Sequence, residues 1–475
     1  MPDGVPDMDV TGLTADSRAV EPGFLFAALA GARADGLDYV DEAVRRGAVA
    51  VLAAPDPRLA RVALPRIVDP QPRRRFAQMA ARMHPGQPAT VVAVTGTNGK
   101  SSVVAFARQL WRQLGRRAAS LGTLGLDAPG GIQPAAHTTP EPVALHRLLR
   151  RLAQDGVECL AMEASSHGID QCRLDGVRLQ AAAFTSFSRD HLDYHATAKA
   201  YLAAKLRLFE VVMGAGGTAV INADMAEAAE VAAACRRRGH LVLGYGLAGE
   251  DLRLIDARPD RQGMALSLEL RGTRHGLRLP LVGDFQAMNA LAAVGLLLAC
   301  GEAPAALVAG LARLQPVPGR LQRAATLANG AEIFVDYAHT PDALKHALLA
   351  LRPHAGGRLL VVFGCGGERD RGKRPLMGAV AKALADRVVV TDDNPRGEDP
   401  AAIRRAVLAG CPGAEEIGDR RAAIRAATMT LQSADILLIA GKGHETGQIA
   451  GGLTRPFDDV EEARMAAAPP GAGTA

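Results

Sequence analysis

The fold is decided by one nine-residue stretch, Val94-Thr95-Gly96-Thr97-Asn98-Gly99-Lys100-Ser101-Ser102. It follows the apolar run 90–94, which is typical of a buried strand, and it precedes the helical pattern of 101–114. Its glycines let backbone N–H groups face phosphate oxygens, while Lys100 can neutralise phosphate charge and Ser101 can bind Mg²⁺. The order of strand, glycine-rich loop and helix therefore predicts an α/β nucleotide-binding fold.

The same alternation of strands and helices continues on both sides of this loop. Further strands are predicted at 24–27, 49–53, 159–162, 181–185, 218–222, 333–336, 359–363, 387–391 and 436–440. Helices are predicted at 39–46, 198–209 and 286–300. Such a pattern favours parallel sheets covered by helices, with functional loops at the carboxyl ends of the strands.

Two stretches, 84–88 and 316–319, contain the Pro and Gly residues expected of linkers. They divide the 475 residues into three predicted domains. These are a small N-terminal α/β domain (1–84), a central P-loop domain with a mainly parallel sheet (85–315), and a C-terminal Rossmann-like α/β domain (316–475).

Composition excludes several classes of protein. With 48% hydrophobic and 22% charged residues the chain is not disordered. Its net charge of +5 is a mild excess, which anionic small substrates explain as well as nucleic acid would. The 4% aromatic content, with one Trp, argues against a surface that stacks bases. Six scattered cysteines, no signal-peptide pattern and no long apolar run predict a cytoplasmic protein without membrane insertion.

The basic residues comprise 48 Arg and only seven Lys. Where a positive charge is sufficient this sequence uses Arg, so a remaining Lys is a candidate for chemistry that needs an amine. For Lys199, Lys345 and Lys382 the simpler interpretation is chance. Four candidates are left: Lys100, Lys205, Lys373 and Lys442.

Two loops of the central region carry candidate metal ligands. Glu163 ends a predicted strand, where a carboxylate facing the phosphate loop is suited to hold Mg²⁺. The segment 187–195, Phe-Ser-Arg-Asp-His-Leu-Asp-Tyr-His, concentrates His and Asp and by itself could indicate zinc. The absence of an accompanying Cys favours Mg²⁺ at this site.

Three strand-end segments of the C-terminal region, 363–375, 391–396 and 441–445, contribute Arg369, Arg396 and Glu445. Arginine is the residue that pairs with carboxylates, and glutamate pairs with ammonium groups. Because loops at the carboxyl ends of parallel strands meet at one edge of the sheet, these segments predict a site for a small zwitterion.

The stretch 95–100, Thr-Gly-Thr-Asn-Gly-Lys, resembles the phosphate loop of the ATP-dependent Mur ligases and of the related folylpolyglutamate synthetases. Motifs similar to those of the Mur ligases continue, in the family's order, from Asp16 to about Asp459. The resemblance implies an amide ligase in which ATP converts a carboxylate into an acyl phosphate that an amine then attacks. It also implies Mg²⁺, ATP as co-substrate, and N6-carboxylation of Lys205.

The family's functional residues carry over motif by motif. The resemblance implies catalytic roles for Lys100, His191 and Lys205, and metal binding by Ser101, Glu163, His191 and the Lys205 carbamate. For ATP it implies contacts from Gly96, Thr97, Asn98, Gly99, Lys100, Ser101, Ser102, Asn289 and His339. The UDP-sugar substrate, whose uridine diphosphate is expected at the N-terminal domain, would meet Ser17, Thr138, Thr139, Ser165, Gln171 and Arg173. No role is assigned at the departures from the family pattern, Ala32, Arg33, His137 and Gln286.

The tetrapeptide 393–396, Asp-Asn-Pro-Arg, equals that of the Mur ligases which add meso-diaminopimelate to UDP-N-acetylmuramoyl-L-alanyl-D-glutamate in peptidoglycan synthesis. Diaminopimelate would then contact Arg369, Asp393, Asn394, Pro395, Arg396, Gly441 and Glu445. The implied partners are small molecules only, and the chain is expected to be a monomer. The alternatives are a lysine-adding Mur ligase, a folylpolyglutamate synthetase-like enzyme with a pterin substrate, and a nucleic-acid-binding ATPase.

Overall fold

The first sheet consists of four parallel strands and is small. A computed structural model describes residues 9–31, 34–135, 137–190, 194–260 and 263–468. Within it the strands lie in the order β1 (Gly12–Thr14), β2 (Phe24–Ala28), β3 (Ala50–Ala53) and β4 (Arg66–Val68). Helices α1 (Val40–Arg45) and α2 (Pro72–Met83) cover the two faces, where apolar clusters are buried. The strands and the helix predicted in this region are confirmed.

The second sheet is larger and surrounds the phosphate loop. Its strands are β5 (Thr90–Thr95), β6 (Ala118–Gly122), β7 (Gly125–Ala128), β8 (Gly131–Gln133), β9 (Cys159–Glu163), β10 (Ala181–Phe184), β11 (Thr218–Asn222), β12 (Leu241–Gly246), β13 (Leu252–Asp260), β14 (Gly263–Leu270) and β15 (Thr273–Leu279). They lie in the order β15-β14-β13-β12-β11-β10-β5-β9-β6-β7-β8. The six neighbouring strands β12, β11, β10, β5, β9 and β6 are parallel, as predicted. Antiparallel hairpins extend the sheet at both edges.

Helices cover both faces of this sheet, because its central strands are apolar on both sides. The run Val91–Val94 is fully buried, which is the pattern of a parallel strand between two helical layers. The helices are α3 (Lys100–Gln113), α4 (Pro142–Gln154), α5 (Ser166–Asp170), α6 (Ala198–Arg207), α7 (Ala228–Arg237), α8 (Asp284–Ala299) and α9 (Pro304–Leu311). A π-helical turn, Leu208–Val212, continues α6.

The third sheet has the order β16 (Gln322–Thr326), β17 (Glu332–Asp336), β21 (Ile436–Ala440), β18 (Leu359–Phe363), β19 (Arg387–Val390) and β20 (Glu415–Glu416). Only β16 is antiparallel to its neighbour. A separate hairpin pairs β22 (Gly447–Ala450) with β23 (Leu453–Pro456). The helices are α10 (Pro341–Leu351), α11 (Lys373–Leu384), α12 (Pro400–Leu408), α13 (Arg420–Met429) and α14 (Asp459–Ala467).

Parallel pairing brings the predicted functional loops together. In the second sheet β9, β5 and β10 are neighbours, so Glu163, the phosphate loop and Thr185 lie at one edge. In the third sheet β17, β21, β18 and β19 are neighbours and all end at the same edge. Both candidate sites therefore lie at the carboxyl ends of parallel strands.

Candidate active site

The phosphate loop, residues 95–102, has a conformation that requires its glycines. Gly96 and Gly99 have φ of +146° and +89°, a region that side chains disfavour. A Cβ on Gly96 would collide with Thr185 Oγ1, and one on Gly99 would collide with Asn289 Oδ1. The predicted nucleotide residue Asn289, on α8, therefore lies directly against the loop.

Lys100 is folded back onto the phosphate loop. Its Nζ donates to the carbonyl oxygens of Gly96 and Thr97, both at 2.9 Å. Burial lowers the pKa of Lys100, and the nearby Glu163 carboxylate opposes that shift. The amine is thus placed where a phosphate oxygen would replace the two carbonyls as its partner.

Lys205, on α6, reaches the same point from a different element. Its side chain is 1% exposed, its Nζ donates to Gly96 O at 2.9 Å, and it lies 4.3 Å from the Tyr201 ring centroid. Burial lowers the pKa of Lys205 well below its ordinary 10.5, and the positive charge of Lys100 lowers it further. The structure therefore holds two amines at one carbonyl, and the buried one is biased toward its neutral, nucleophilic form.

The predicted metal ligands Ser101 and Glu163 are both buried at this edge. Thr123 holds Glu163, donating from its N at 2.9 Å and from its Oγ1 at 3.1 Å. His191 lies outside the described residues. Within the described residues no group of three or more His, Cys, Asp or Glu side chains is arranged to hold a metal ion.

The predicted sugar-substrate residues of the central region form one hydrogen-bonded cluster. Thr139 Oγ1 donates to Glu163 O at 3.0 Å and lies 3.1 Å from Ser165 Oγ. Arg173 donates to Thr139 O at 2.8 Å and to Gln171 Oε1 at 2.8 Å. Thr138 is the remaining predicted member. It joins the cluster through Thr123, because the Oγ1 atoms of Thr138 and Thr123 lie 3.0 Å apart.

A cavity of about 520 Å³ lies between the carboxyl edge of the first sheet and the central region. Arg58, Arg73 and Arg74 line it from one side, and Cys172 and Arg207 from the other. Cys172 is the residue between Gln171 and Arg173, so the cavity adjoins the cluster just described. Ser17 does not line the cavity; its hydroxyl donates to Glu42 at 2.7 Å.

The zwitterion site of the third sheet comprises Arg369, Arg396, Asn394 and Glu445. Arg396 Nη1 donates to Gly367 O at 2.8 Å, and both arginines approach Gly366. Neither Arg369 nor Arg396 forms an ion pair with a described residue, so their charges are available to a carboxylate. Glu445 accepts from Asn394 Nδ2 at 2.8 Å.

The backbone of this site is fixed by the small hairpin β22–β23. Arg396 has φ +54°, a conformation that costs a non-glycine residue roughly 1–2 kcal/mol. Its N donates to Ile449 O at 2.9 Å, and Gly451 N donates to Arg396 O at 2.8 Å. Two further predicted members support the loop: the Pro395 carbonyl packs on Gly367, and Asp393 lies against Gly441, whose φ is +117°.

Three residues of these sites were given no place in them by sequence reasoning, although Lys442 was one of the four lysine candidates. Arg320 donates to Ser101 Oγ at 3.0 Å and lies over the Tyr337 ring, so it joins the second sheet to the third. Gln286, to which no role was assigned, donates to Arg320 O at 3.1 Å and accepts from Asn289. Lys442 is fully buried beside Asn394 and Glu445. No motif indicated Arg320 or Gln286; for Lys442 the scarcity of lysine was the only signal.

Asp336, three residues before the predicted nucleotide contact His339, is part of a tight turn. Asp336 accepts from Leu321 N at 2.7 Å and Ala338 N at 2.8 Å. Burial raises the pKa of Asp336 to about 6, although both hydrogen bonds and the charge of Arg320 oppose the shift. His339 Nδ1 lies 2.8 Å from Tyr337 O, and Lys373 Nζ donates to His339 O at 2.8 Å.

A phosphate loop at the edge of a mainly parallel sheet places the chain among the P-loop α/β proteins. Three family models match it: the Mur ligase family catalytic domain at residues 9–84, the Mur ligase middle domain at 94–297, and the glutamate ligase domain of Mur ligases at 319–443. The chain belongs to the Mur ligase family.

Curated relatives are similar over nearly the whole chain. A protein of Bradyrhizobium diazoefficiens is 53% identical (98% of this chain, 96% of the relative), and one of Caulobacter vibrioides is 51% identical (97% and 96%). Both are named UDP-N-acetylmuramoyl-L-alanyl-D-glutamate--2,6-diaminopimelate ligase. A solved structure with the same name is 36% identical, with a TM-score of 0.70 over 96% of this chain and 94% of its own.

More distant structures share the fold alone. The MurF ligase of Thermotoga maritima, solved with ADP, is 19% identical with a TM-score of 0.64, covering 97% of this chain and 98% of its own. A folylpolyglutamate synthase of Mycobacterium tuberculosis is 21% identical with the same TM-score, covering 78% of this chain and 92% of its own. None of the described helices is long and apolar enough to span a membrane.

Proposed function

We propose that this chain ligates meso-2,6-diaminopimelate to the glutamate of UDP-N-acetylmuramoyl-L-alanyl-D-glutamate, driven by ATP, in the synthesis of peptidoglycan precursors. The observation that carries this proposal is the zwitterion site, where Arg369 and Arg396 have no ionic partner among the described residues. Glu445 stands in the same site as an ammonium acceptor. The distal end of diaminopimelate bears one carboxylate and one ammonium group, whereas lysine bears only the ammonium.

The phosphate loop would bind ATP through its backbone N–H groups, Lys100 and Ser102, with Asn289 and His339 at the nucleotide. The oxygen donors Ser101 and Glu163 are of the type that Mg²⁺ prefers, and their burial beside Lys100 fits such an ion. Bound Mg²⁺ would neutralise phosphate charge as the phosphoryl group transfers. Sequence similarity adds His191 and carboxylated Lys205 to the proposed ligands.

Lys205 is suited to carboxylation by carbon dioxide. Its neutral Nζ would use its lone pair to form a bond to the carbon, and it would lose a proton to give an anionic carbamate. A buried amine next to a second cation is destabilised when it is charged, and a carbamate would replace that repulsion with attraction to Lys100. The resulting oxygens would complete an otherwise small set of metal ligands.

The reaction then has two bond exchanges. The substrate carboxylate oxygen takes the γ-phosphoryl group and ADP leaves; the amine nitrogen next attacks the acyl carbon, phosphate leaves, and the amine loses its proton. Lys100 would stabilise the charge on the transferring group. Thr138, Thr139, Ser165, Gln171 and Arg173 would hold the sugar peptide, with its nucleotide toward the cavity and Ser17.

The test is phosphate release by the purified protein with Mg²⁺, ATP and UDP-N-acetylmuramoyl-L-alanyl-D-glutamate, comparing meso-diaminopimelate with L-lysine. Turnover with diaminopimelate alone is expected. Turnover with lysine alone would overturn the assigned specificity and keep the ligase, and no turnover with either would reopen the pterin interpretation. Carboxylation is tested separately with ¹³C-bicarbonate, where one carbamate resonance is expected and Lys205→Met should abolish it.

The proposal extends to the state of the enzyme in the cell. We place it in the cytoplasm as a monomer that uses small-molecule substrates, with domain boundaries after residues 84 and 315. Light scattering coupled to size-exclusion chromatography should give the mass of one chain. Limited proteolysis should cut first near those two boundaries, since exposed linkers are the preferred sites of cleavage.

A further inference from the structure

Lys442 lies in the loop after β21 and is completely buried, with 0% of its side chain exposed. Its Nζ donates to Gly447 O at 2.6 Å, to Glu445 Oε2 at 3.0 Å and to Asn394 Oδ1 at 3.2 Å. An ammonium group has three protons, so all of its donors are used. Lys442 therefore has no surface with which to contact a substrate.

The first consequence concerns the amide of Asn394. Its Oδ1 accepts from Lys442 Nζ and, at 2.9 Å, from Ile449 N. Because both neighbours can only donate, the oxygen must face them and the Nδ2 group must face Glu445. Without Lys442 one of the two donors that fix this orientation is lost.

The second consequence concerns the carboxylate of Glu445. Its Oε2 accepts from both Lys442 Nζ and Asn394 Nδ2, whereas its Oε1 has no hydrogen-bond partner among the described residues. One oxygen is thus anchored, and the other is left for a ligand. The anchoring group must donate hydrogen bonds in three separate directions, which an ammonium does and a planar guanidinium does not.

We infer that Lys442 is a positioning residue for diaminopimelate, because it fixes both Asn394 and Glu445 in the orientation that receives the distal ammonium group. This inference rests on the proposed function. It assigns a role to a residue that touches no substrate, and it accounts for a buried lysine in a chain that has 48 Arg and only seven Lys.

The test compares Lys442→Met, which keeps the length and removes the donors, with the control Lys382→Met on the exposed side of α11. Loss of hydrogen bonds to a charged group predicts an increase of about 10- to 100-fold in KM for meso-diaminopimelate. KM for ATP and for the UDP-sugar should stay within about threefold of the parent, a change of less than 1 kcal/mol. A general structural defect would instead change all three KM values and kcat together, and that result would overturn the inference.

A double-mutant cycle gives the sharper measurement. If Lys442 acts through Glu445, then Lys442→Met should raise KM for diaminopimelate far less in a Glu445→Gln background than in the parent. Additive effects would overturn the inference. If Lys442→Met does not fold, Lys442→Gln replaces it throughout, and its two amide N–H donors in place of three predict an intermediate KM.

The parent enzyme separates the two levels of failure. If it shows no diaminopimelate-dependent phosphate release, the proposed function is wrong and the inference is wrong with it. If the parent is active and Lys442→Met has an unchanged KM for diaminopimelate, the inference alone is wrong.

Discussion

Two fully buried lysines, one in each candidate site, have opposite surroundings. Lys205 has a single described acceptor, the Gly96 carbonyl, and shares it with a second cation, Lys100. Lys442 has three acceptors, and one of them is the carboxylate of Glu445. Burial is the same in both cases, so the partners decide what each amine can do.

The difference separates reactivity from support. Burial and the neighbouring Lys100 cation drive Lys205 toward its neutral form, which is a nucleophile, although the charge of Asp190 opposes that shift of its pKa. A buried amine that donates to an anion and to two further acceptors is fixed in position and organises its neighbours. Two of the seven lysines thus serve for properties that arginine lacks. Lys205 offers a reactive amine, and Lys442 offers donors in three directions.

The largest effect is expected from Lys205→Met. Because it removes the amine that we propose to become a metal-binding carbamate, phosphate release should fall by about 10³-fold, the upper range for losing one electrostatic group of an active site. Lys199→Met, on the exposed part of the same helix, is the control and should retain parental activity. Equal activity of the two variants would remove the contrast between Lys205 and Lys442.

The next effect concerns the zwitterion site. Arg396→Ala removes a guanidinium that no described carboxylate neutralises, so kcat/KM for diaminopimelate should fall by about 10²-fold, as for other charge-assisted contacts. Arg425→Ala, on the exposed side of α13, is the matched control. If kcat/KM for ATP fell more than kcat/KM for diaminopimelate, the placement of Arg396 at the diaminopimelate site would be contradicted.

Removal of carbon dioxide should distinguish the two lysines directly. Enzyme kept in bicarbonate-free buffer should lose part of its activity, by less than Lys205→Met does, and added bicarbonate should restore it. The Lys442→Met variant should show the same relative response, since its lysine is not a site of carboxylation. If only the parent or only Lys442→Met lost activity without bicarbonate, Lys205 and Lys442 would not act independently.

The last effect is on stability rather than on turnover, and it concerns Asp336, a buried acid whose hydrogen-bond donors are backbone N–H groups. Its pKa of about 6 in the folded chain lies above its ordinary 3.8, so its contribution to stability is fully present below pH 3.8 and is lost as the pH rises through 6. The change is about 3 kcal/mol at 1.36 kcal/mol per pKa unit. Asp336→Asn cannot ionise, and it should remove this dependence.

Hydrogen exchange of peptides that cover 332–340 measures that stability locally. The measured quantity is the opening free energy of the parent minus that of Asp336→Asn. This difference should decrease as the pH rises from 4 to 6. A difference that stays constant over this range would mean that Asp336 is already ionised at pH 4.

Much of the fold could be predicted from the sequence, because buried parallel strands are short apolar runs followed by glycine-rich or polar loops. β11, β18 and β21 have the predicted bounds. The hairpin strands β13, β14 and β15 were not predicted, since half of each strand faces solvent and its apolar residues alternate with polar ones. The prediction of parallel sheets was therefore right for the centre and incomplete at the edges.

The candidate sites show the same limit. Residues within one motif, such as Gly96 and Lys100 or Asn394 and Arg396, could be found because their chemistry is local. The partners of Lys442 lie on two loops, and Asn394 is 48 residues away along the chain. Only the order of strands brings these loops together, and that order is not written in any one motif.

The position of Arg320 joins the phosphate loop to the loop that follows β17 in the third sheet. Its guanidinium donates a hydrogen bond to Ser101 Oγ from the third-sheet side of the molecule. A nucleotide that binds Ser101 must therefore compete with that contact. Competition of this kind is reciprocal: if nucleotide binding weakens the contact by some factor, then the contact weakens nucleotide binding by the same factor. Nucleotide binding and the contact between Arg320 and Ser101 are thereby coupled through a single hydrogen bond.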